Sequence, residues 1–200
     1  MLKGKIKFYI GIDEAGRGPL AGPLIVAGVL VKKEHQNHPL LKGIKDSKQL
    51  NHKQRAEWYS KLIQHPDFIF ATARITPATI DRINIYQSAQ RGALQVVRAL
   101  LRKKNMRGDT CHILLDGNLK LPKEFSFETI IKGDEKIPLI SAASIIAKVT
   151  RDRIMQRIHK KYPNYRFDLH KGYGTELHRN MIKKYGRCIV HRESFGFDKN

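Results

Sequence analysis

The segment that most restricts the fold of this chain lies at residues 8–19, where an apolar β-type run stops at two adjacent acids, Asp13 and Glu14. A strand that ends in acids holds them at the edge of a rigid sheet, with water on one side. A hard divalent cation such as Mg²⁺ can bind there, because it takes oxygen ligands and usually only one or two carboxylates. The alternative is an ordinary strand followed by a charged turn, since acids and glycines are common turn residues.

A glycine-flanked arginine follows these acids, with Gly16 and Gly18 on either side of Arg17. Glycine tolerates unusual dihedral angles, and a backbone without side chains leaves its N–H groups open to a ligand. The pattern therefore predicts accessible backbone beside the acids. A solvated arginine in a plain turn is the alternative.

The charge balance indicates a polyanionic partner. Lysine and arginine total 38 against 18 aspartates and glutamates, a net charge of +20, and nucleic acid is the first candidate for such a chain. General surface basicity without a partner is the alternative. With 200 residues and 41% hydrophobic content, the chain can bury a core and is not a disordered polyelectrolyte.

The cysteines and the first residues favour a cytoplasmic protein. Cys111 and Cys188 show no paired-thiolate spacing, which fits a reducing compartment better than a disulfide framework. The first residues run directly into the apolar β-type segment and lack the long apolar core of a signal peptide. No run approaches the roughly 20 apolar residues of a membrane span, so we expect no membrane partner.

The order of apolar and polar segments predicts an α/β chain built on one mixed sheet. We predict strands at 7–12, 23–31, 68–75, 111–115 and 127–131, and helices at 55–63, 77–104, 139–159 and near 175–185. We find no internal repeat and no low-complexity segment. We therefore expect a single domain over residues 1–200, with a basic substrate-binding part from about residue 151.

Acids recur where the predicted strands end. Asp13 and Glu14 end the first strand, Asp116 ends the fourth, and Asp134 follows the fifth. If the first and fourth strands are neighbours, these carboxylates meet at one edge and repel each other unless cations neutralise them. Two divalent ions about 4 Å apart would do so, and they would activate a water and stabilise a leaving oxygen. The alternative is that each acid is only a turn residue or a helix cap.

Six sequence blocks, taken in order, resemble ribonuclease HII. They are DEAGRG at 13–18, DSK at 46–48, LDG at 115–117, KGD at 132–134, SAASIIAKVTRD at 141–152 and HKGYGT at 170–175. The run HRESF at 191–195 also resembles the closing segment of that family. A single block is a weak signal, whereas the ordered set is specific.

The resemblance implies the ribonuclease H fold, a five-stranded mixed sheet flanked by helices with a helical C-terminal extension. It implies endonucleolytic cleavage of RNA in RNA–DNA hybrids and incision 5′ to single ribonucleotides in duplex DNA, leaving 3′-hydroxyl and 5′-phosphate ends. By matching motif positions, it implies that Mg²⁺ or Mn²⁺ ions are held in a two-metal site by the catalytic acids Asp13, Glu14, Asp116 and Asp134. We expect a monomer, and the sequence neither indicates nor excludes a sliding clamp as a further partner.

Two motifs would read the sugar at the cleavage site. The resemblance gives residues 16–18 the task of sensing the RNA-to-DNA junction through the 2′-hydroxyl, the group that distinguishes RNA from DNA at one position. It implies that Tyr173, between Gly172 and Gly174, packs on the following sugar, where a flat ring favours deoxyribose. A loop tyrosine that covers core is the alternative.

Lys48 and one face of the helix predicted at 139–159 are further candidates for substrate contact. Four polar side chains share that face, at i, i+3, i+7 and i+10: Ser141, Ser144, Lys148 and Arg151. They can line a phosphate track, or they can be serines near a helix start with a snorkelling lysine. Residues 151–192 carry 12 lysines and arginines against 3 acids, which makes this segment the expected footprint on duplex backbone.

Other chemistries fit the residues less well. The spacing of His170, His178, Cys188 and His191 matches no paired zinc knuckle, and no base motif adjoins a candidate cysteine or serine nucleophile. A non-catalytic hybrid-binding protein is the runner-up, although clustered acids facing phosphates would serve it no purpose. A sister nuclease that requires longer RNA is a further alternative, which the motifs at 16–18 and Tyr173 disfavour.

The chain departs from the family pattern at Arg166, which stands where glycine is expected. This substitution leaves the form of the local turn open and does not touch the chemistry of the acids.

Overall fold

A computed structural model describes residues 5–44 and 50–196 of the chain. Five strands form one sheet: β1 (Phe8–Ala15), β2 (Leu24–Lys32), β3 (Ile69–Ile75), β4 (Cys111–Asp116) and β5 (Ser126–Ile130). Their spatial order is β3-β2-β1-β4-β5. The first three strands pair antiparallel, whereas β4 runs parallel to β1 and β5 runs parallel to β4. The predicted mixed sheet is confirmed, and its first and fourth strands are neighbours.

Eight helices accompany these strands in the described residues. They are α1 (Pro39–Lys42), α2 (His52–Gln64), α3 (Pro77–Ile83), α4 (Ile85–Lys104), α5 (Gly133–Lys136), α6 (Pro138–Lys161), α7 (Phe167–His170) and α8 (Glu176–Tyr185). Within residues 5–44 and 50–196, none of them combines the length and the apolar character needed to cross a membrane.

The core forms two layers, one on each face of the sheet. The strand β2 is buried on both faces, which explains its continuous apolar sequence. Its alternate residues Ile25, Ala27 and Val29 belong to the layer that α6 completes, whereas Val26 and Leu30 belong to the layer of α4. The long helices therefore sandwich the central strands and leave the ends of the sheet for the connecting loops.

The helix predicted over 77–104 is interrupted. Asn84 has φ +63°, so α3 ends at Ile83 and α4 begins at Ile85. The Asn84 side chain accepts a hydrogen bond from the Gln87 N–H at 2.9 Å and caps the second helix. The apolar spacing runs across this break, so periodicity alone did not reveal it.

Arg166 also adopts the left-handed conformation, with φ +54°. Glycine reaches this region without steric cost, which explains why the resemblance leads one to expect glycine there. The arginine forms the turn between the 3-10 turn at Pro163–Tyr165 and α7. The backbone at Arg166 therefore follows a path that a glycine could also take.

Candidate active site

The predicted acids of β1 and β4 lie side by side at one end of the sheet. The strand β1 continues through Asp13 and Glu14 instead of ending before them. Its parallel register pairs Ile12 with Leu115, which places Asp13 beside Asp116, the last residue of β4. Sheet geometry thus fixes their relative position.

Asp134 reaches the same place from another element. It lies in the first turn of α5 and is 3% exposed. The Gly133 N–H donates to Asp116 Oδ1 at 2.7 Å, which ties α5 to the end of β4. Asp134 also interacts electrostatically with Glu14. The structure therefore brings together all four acids singled out in the sequence.

Burial and mutual repulsion disfavour charge on the two β1 acids. Burial raises the pKa of Asp13 well above its usual value, and the charges of Glu14 and Asp116 raise it further. Burial likewise raises the pKa of Glu14, although the Arg17 guanidinium opposes this shift. The site thus concentrates carboxylates in surroundings that favour a compensating positive charge.

Glu14 has one hydrogen-bonded oxygen and one without a partner. Its Oε1 accepts from Arg17 Nη1 at 3.0 Å, whereas Oε2 is buried and has no hydrogen-bond partner among the described residues. A buried polar atom without a partner is costly, and a bound cation would remove that cost. Carboxylate oxygens are the donors that Mg²⁺ and Mn²⁺ take. The residues present therefore fit a divalent ion of this class.

The N-terminal half of α6 supports the acids from behind. The Ser144 hydroxyl donates a hydrogen bond to the Asp13 carboxylate, which opposes the rise of its pKa, and Ser141 Oγ donates to the Asp134 carbonyl. Gly11 allows this close packing, because a Cβ there would lie 2.5 Å from the Leu139 carbonyl oxygen. Ser144 thus orients an acid from a buried position, 8% exposed.

The two glycines around Arg17 have different roles. Gly16 is buried with φ +100°, and a Cβ there would lie 2.2 Å from Arg151 Nε, so both conformation and space require glycine. Gly18 is exposed, and a Cβ there would meet nothing within 4 Å. Gly16 lets the loop turn over a buried arginine, and Gly18 leaves open backbone on the outer side.

Tyr173 lies close to this loop although it is far away in sequence. Its side chain is 43% exposed, so it does not simply cover core. The Leu20 N–H donates to the Gly172 carbonyl at 2.8 Å, which joins the two loops. Lys148 Nζ lies 6.0 Å from the centre of the Tyr173 ring and forms an ion pair with Asp152 Oδ1 at 2.9 Å. Lys48, the other predicted lysine contact, lies outside the described residues.

The predicted phosphate-facing stripe on α6 is wrong for Arg151. This side chain is 0% exposed and donates to the carbonyls of Pro23, at 3.0 Å, and Ala21, at 3.1 Å. Its guanidinium carbon lies 5.7 Å from the centre of the Tyr173 ring. Helical spacing places the four residues on one face, and the loop after β1 covers that face at Arg151.

Sequence reasoning missed a second buried arginine and a buried histidine pair. Arg192 is 0% exposed and donates to carbonyls of the loop that follows β1. His178 Nε2 and His191 Nε2 lie 3.1 Å apart. Nothing in the local sequence separates Arg192 from the other basic residues, because its partners lie 170 to 176 positions away.

A different histidine cluster lies at the opposite end of the sheet. Within the described residues, His38, His65 and Asp67 form the group whose ligand atoms all lie within 4.8 Å of one another. The Nδ1 atoms of both histidines already accept backbone N–H groups, from Leu40 at 3.1 Å and from Asp67 at 3.3 Å. These nitrogens are therefore occupied by the local turns.

The sequence is similar to those of known proteins over almost its whole length. Residues 10–197 match the family model described as Ribonuclease HII. The chain is 42% identical over 185 residues to "Ribonuclease HII" of Coxiella burnetii (strain Dugway 5J108-111), covering 92% of this chain and 86% of that protein.

Two solved structures share the architecture. The ribonuclease H2 of Pyrococcus horikoshii OT3 is 28% identical with a TM-score of 0.75, covering 95% of this chain and 94% of that one. Bst-RNase HIII, solved in complex with Mn²⁺, is 19% identical with a TM-score of 0.71, covering 98% of this chain and 69% of that one. The predicted ribonuclease H fold is confirmed.

Proposed function

The chain belongs to the ribonuclease HII family and is a hydrolytic nuclease, and we propose that it cuts the RNA strand of RNA–DNA hybrids and incises duplex DNA 5′ to single ribonucleotides. The observation that carries this proposal is the position of the acid cluster beside an open glycine loop and a half-exposed tyrosine. The proposed catalytic centre thus adjoins two elements suited to contact a sugar.

The four acids would hold divalent ions. The Glu14 Oε2 atom, which has no hydrogen-bond partner in residues 5–44 and 50–196, supports this assignment, as does the Mn²⁺ complex of the structurally similar Bst-RNase HIII. When bound, Mg²⁺ or Mn²⁺ lowers the pKa of a water molecule and stabilises charge on phosphate oxygens. The protein's part is to hold four carboxylates in a fixed arrangement, which it does through the β1–β4 register and the Gly133 contact with Asp116.

Hydrolysis would break the P–O3′ bond on the 5′ side of the ribonucleotide. The oxygen of water joins phosphorus, the O3′ atom leaves and takes up a proton, and the products carry a 3′-hydroxyl and a 5′-phosphate. Ser144 would keep Asp13 oriented through its hydrogen bond to that carboxylate. Arg17 would steady Glu14 through the 3.0 Å contact.

The two adjoining loops would recognise the sugars of the substrate. The open backbone at Gly18 would approach the ribose 2′-hydroxyl, the feature that separates RNA from DNA at one position. The Tyr173 ring would pack on the next sugar, where a deoxyribose leaves room for a flat ring. Lys148, beside that ring, and Lys48 would contact neighbouring phosphates.

One assay tests the proposal directly. A labelled DNA duplex with a single ribonucleotide is incubated with enzyme, with Mg²⁺, with Mn²⁺ or with chelator, beside an all-DNA duplex and a continuous RNA–DNA hybrid. We expect metal-dependent cutting on the 5′ side of the ribonucleotide, no cutting of the all-DNA duplex, and a 3′ end that a DNA polymerase extends.

Other outcomes identify the alternatives. Cutting of the continuous hybrid alone would indicate the sister activity that needs longer RNA. Binding of both ribonucleotide-containing substrates without cutting in either metal would indicate a non-catalytic hybrid-binding protein. A cyclic phosphate end would indicate attack by the ribose itself and would contradict the proposed hydrolysis.

A further inference from the structure

The segment 187–196, which we call the C-terminal strap, lies across the loop that follows β1. Ala21 and His191 form an isolated antiparallel bridge. The Gly22 N–H donates to the Val190 carbonyl at 2.8 Å, and the Arg192 N–H donates to the Leu20 carbonyl at 2.8 Å. The strap is thus joined by backbone hydrogen bonds to the loop that contains the proposed ribose-reading motif.

Asp81, in α3, holds the far side of the strap. Its carboxylate accepts the N–H groups of Glu193 and Ser194, each at 3.0 Å, and the Ser194 hydroxyl at 2.6 Å. The strap is therefore held by the loop at residues 190–192 and by α3 at residues 193–194.

The buried Arg192 side chain binds the loop that follows β1 through backbone carbonyls. Its guanidinium, 0% exposed, donates to the carbonyls of Gly16 at 2.6 Å and Arg17 at 2.8 Å, and to that of Gly22 at 3.0 and 3.1 Å. Among the described residues no salt bridge involves Arg192, and its side-chain hydrogen bonds all go to these carbonyls. Burial lowers the pKa of Arg192 to about 9, the charge of Arg151 lowers it further, and the charge of Asp81 opposes the shift.

These hydrogen bonds from Arg192 determine the direction in which the peptide N–H groups of residues 16–18 point. The C=O and N–H of one planar peptide point in opposite directions. Because Arg192 draws the Gly16 and Arg17 carbonyls inward, the N–H groups of Arg17 and Gly18 face away from it. In the described residues neither of these amides donates a hydrogen bond, so both remain available to a ligand on the outer side.

His191, the neighbour of Arg192, connects the strap to the other sugar-reading element. His178 Nδ1 lies 2.9 Å from the Tyr173 carbonyl, which only accepts, so Nδ1 carries the proton and Nε2 is an acceptor. His191 Nε2, 3.1 Å away, must then be the donor. Its Nδ1 in turn accepts the Cys188 N–H at 2.9 Å. The chain of contacts leads from the strap through α8 to the backbone of Tyr173.

We infer that His191 and Arg192 are positioning residues that set the two sugar-reading elements relative to each other, Arg192 through the carbonyls of residues 16, 17 and 22 and His191 through His178. The inference rests on the proposed function, because it assumes that residues 16–18 and Tyr173 read the sugars. His191 and Arg192, 3% and 0% exposed, would fix the spacing of these elements without touching the substrate themselves.

Arg192→Lys tests the first half. Lysine keeps the charge and the stem, but a single ammonium cannot match the planar fork that spans three carbonyls. We expect kcat on the lone-ribonucleotide duplex to fall by roughly tenfold or more, since small displacements at a scissile phosphate are costly. The KM should change by less than about threefold, because phosphate contacts elsewhere supply most of the affinity.

A matched control separates positioning from stability. Leu100→Ala removes buried atoms from the α4 layer, to which the strap contributes only the partly buried Phe195, and it lowers Tm while leaving the hydrogen bonds of His191 and Arg192 in place. Assayed well below both melting temperatures, it should keep the wild-type kcat. If Arg192→Lys does not fold, Asp81→Ala releases the far side of the strap and should lower kcat in the same way.

Two substitutions at His191 test the second half of the inference: one removes its hydrogen bond to His178, and the other restores it. Methionine cannot donate to His178, whereas glutamine places an amide nitrogen near the position of Nε2 and can. We expect His191→Met to lower cutting at a lone ribonucleotide relative to a continuous hybrid by roughly tenfold, and His191→Gln to restore most of it. In a Tyr173→Ala background, His191→Met should add little, because both changes act through the same residue.

The outcomes are distinct from those for the proposed function. Folded Arg192→Lys and His191→Met enzymes with wild-type kcat and wild-type substrate preference would overturn the inference. A kcat loss in Leu100→Ala equal to that in Arg192→Lys would also overturn it and would make the strap merely structural. If the wild-type enzyme fails to cut the lone-ribonucleotide duplex, the proposed function itself is wrong.

Discussion

At the scale of single residues, Asp13 is a proposed metal ligand whose buried charge also destabilises the fold. We expect Asp13→Asn and Asp116→Asn each to abolish cleavage while binding of hybrid is kept. Because its pKa is raised, Asp13 contributes stability at low pH that is lost as pH rises through the folded-state pKa. Without metal at neutral pH, Asp13→Asn should therefore be more stable by about 1 kcal/mol, or roughly 3 °C in Tm.

Thermal melts of both proteins with and without Mg²⁺ measure this effect. The advantage of Asp13→Asn should shrink in mild acid, where the wild-type carboxyl is protonated, and on addition of Mg²⁺, which should raise the wild-type Tm more. Near-normal turnover by either variant at saturating Mg²⁺ would contradict the assignment of these acids.

Tyr173 should act through its ring face and not through its hydroxyl. Stacking contacts with nucleic acid are worth roughly 1–3 kcal/mol, and a sugar contact should fall at the low end. We expect Tyr173→Phe to keep most activity. Tyr173→Ala should lose much more rate than binding on a lone ribonucleotide, up to about 10²-fold if the scissile phosphate shifts by about 1 Å.

Cleavage rates on the lone-ribonucleotide duplex and on a continuous hybrid, together with a binding measurement, decide the question. A wild-type rate for Tyr173→Ala on the lone ribonucleotide would make this residue an ordinary loop tyrosine, and the junction would then have to be read elsewhere.

At the scale of elements, the contact between α8 and the strap should make stability depend on acidity. Burial lowers the pKa of His178 to about 4 from 6.5, so the folded protein binds fewer protons than the unfolded chain between these values. The stabilising contribution is full above pH 6.5 and is lost as pH falls toward 4, on the order of 3 kcal/mol in total.

His178→Asn isolates this effect, because asparagine can still donate from near Nδ1 but does not titrate in this range. We expect its free energy of unfolding to fall less than that of the wild type between pH 6.5 and 4. The raised pKa values of Asp13 and Glu14 act in the opposite direction in both proteins and cancel in the comparison. Parallel pH profiles would show that His178 is not held neutral.

Elements also show where sequence reasoning succeeded and where it did not. Strand-end acids were predictable because a β-run and its charged end are both local features. The break at Asn84 was not, because the apolar spacing continues through it. Arg151 was misplaced because spacing gives the face of a helix but not what covers it, and Arg192 depends on contacts with residues 16–22, far away in sequence.

At the scale of the whole molecule, charge should govern affinity more than specificity. Of the 12 basic residues in 151–192, Arg151 and Arg192 are buried, which leaves ten for the surface. Lys183 and Lys184 of α8 are both exposed. Replacing both with alanine should flatten the plot of log affinity against log salt by up to about two units of slope, because fewer condensed counterions are released.

A control pair lies at the other end of the sheet. Lys32 and Lys33 are exposed, and Lys32 pairs with Phe8 at the start of β1, away from the acids. Their double alanine variant should keep the wild-type slope. An unchanged slope in a folded Lys183→Ala, Lys184→Ala protein would place the duplex on another surface.

The parallel pairing of β1 with β4 has a kinetic consequence. It joins Ile12 to Leu115, and contacts between such distant residues pay a large loop-closure entropy and form slowly. The four carboxylates proposed to bind metal cannot all meet before this pairing, so an ion finds no complete site in the unfolded chain or in early intermediates. We therefore expect Mg²⁺ to slow unfolding in stopped-flow experiments and to leave the refolding rate unchanged. Faster refolding with Mg²⁺ would mean instead that the acids meet before the rate-limiting step.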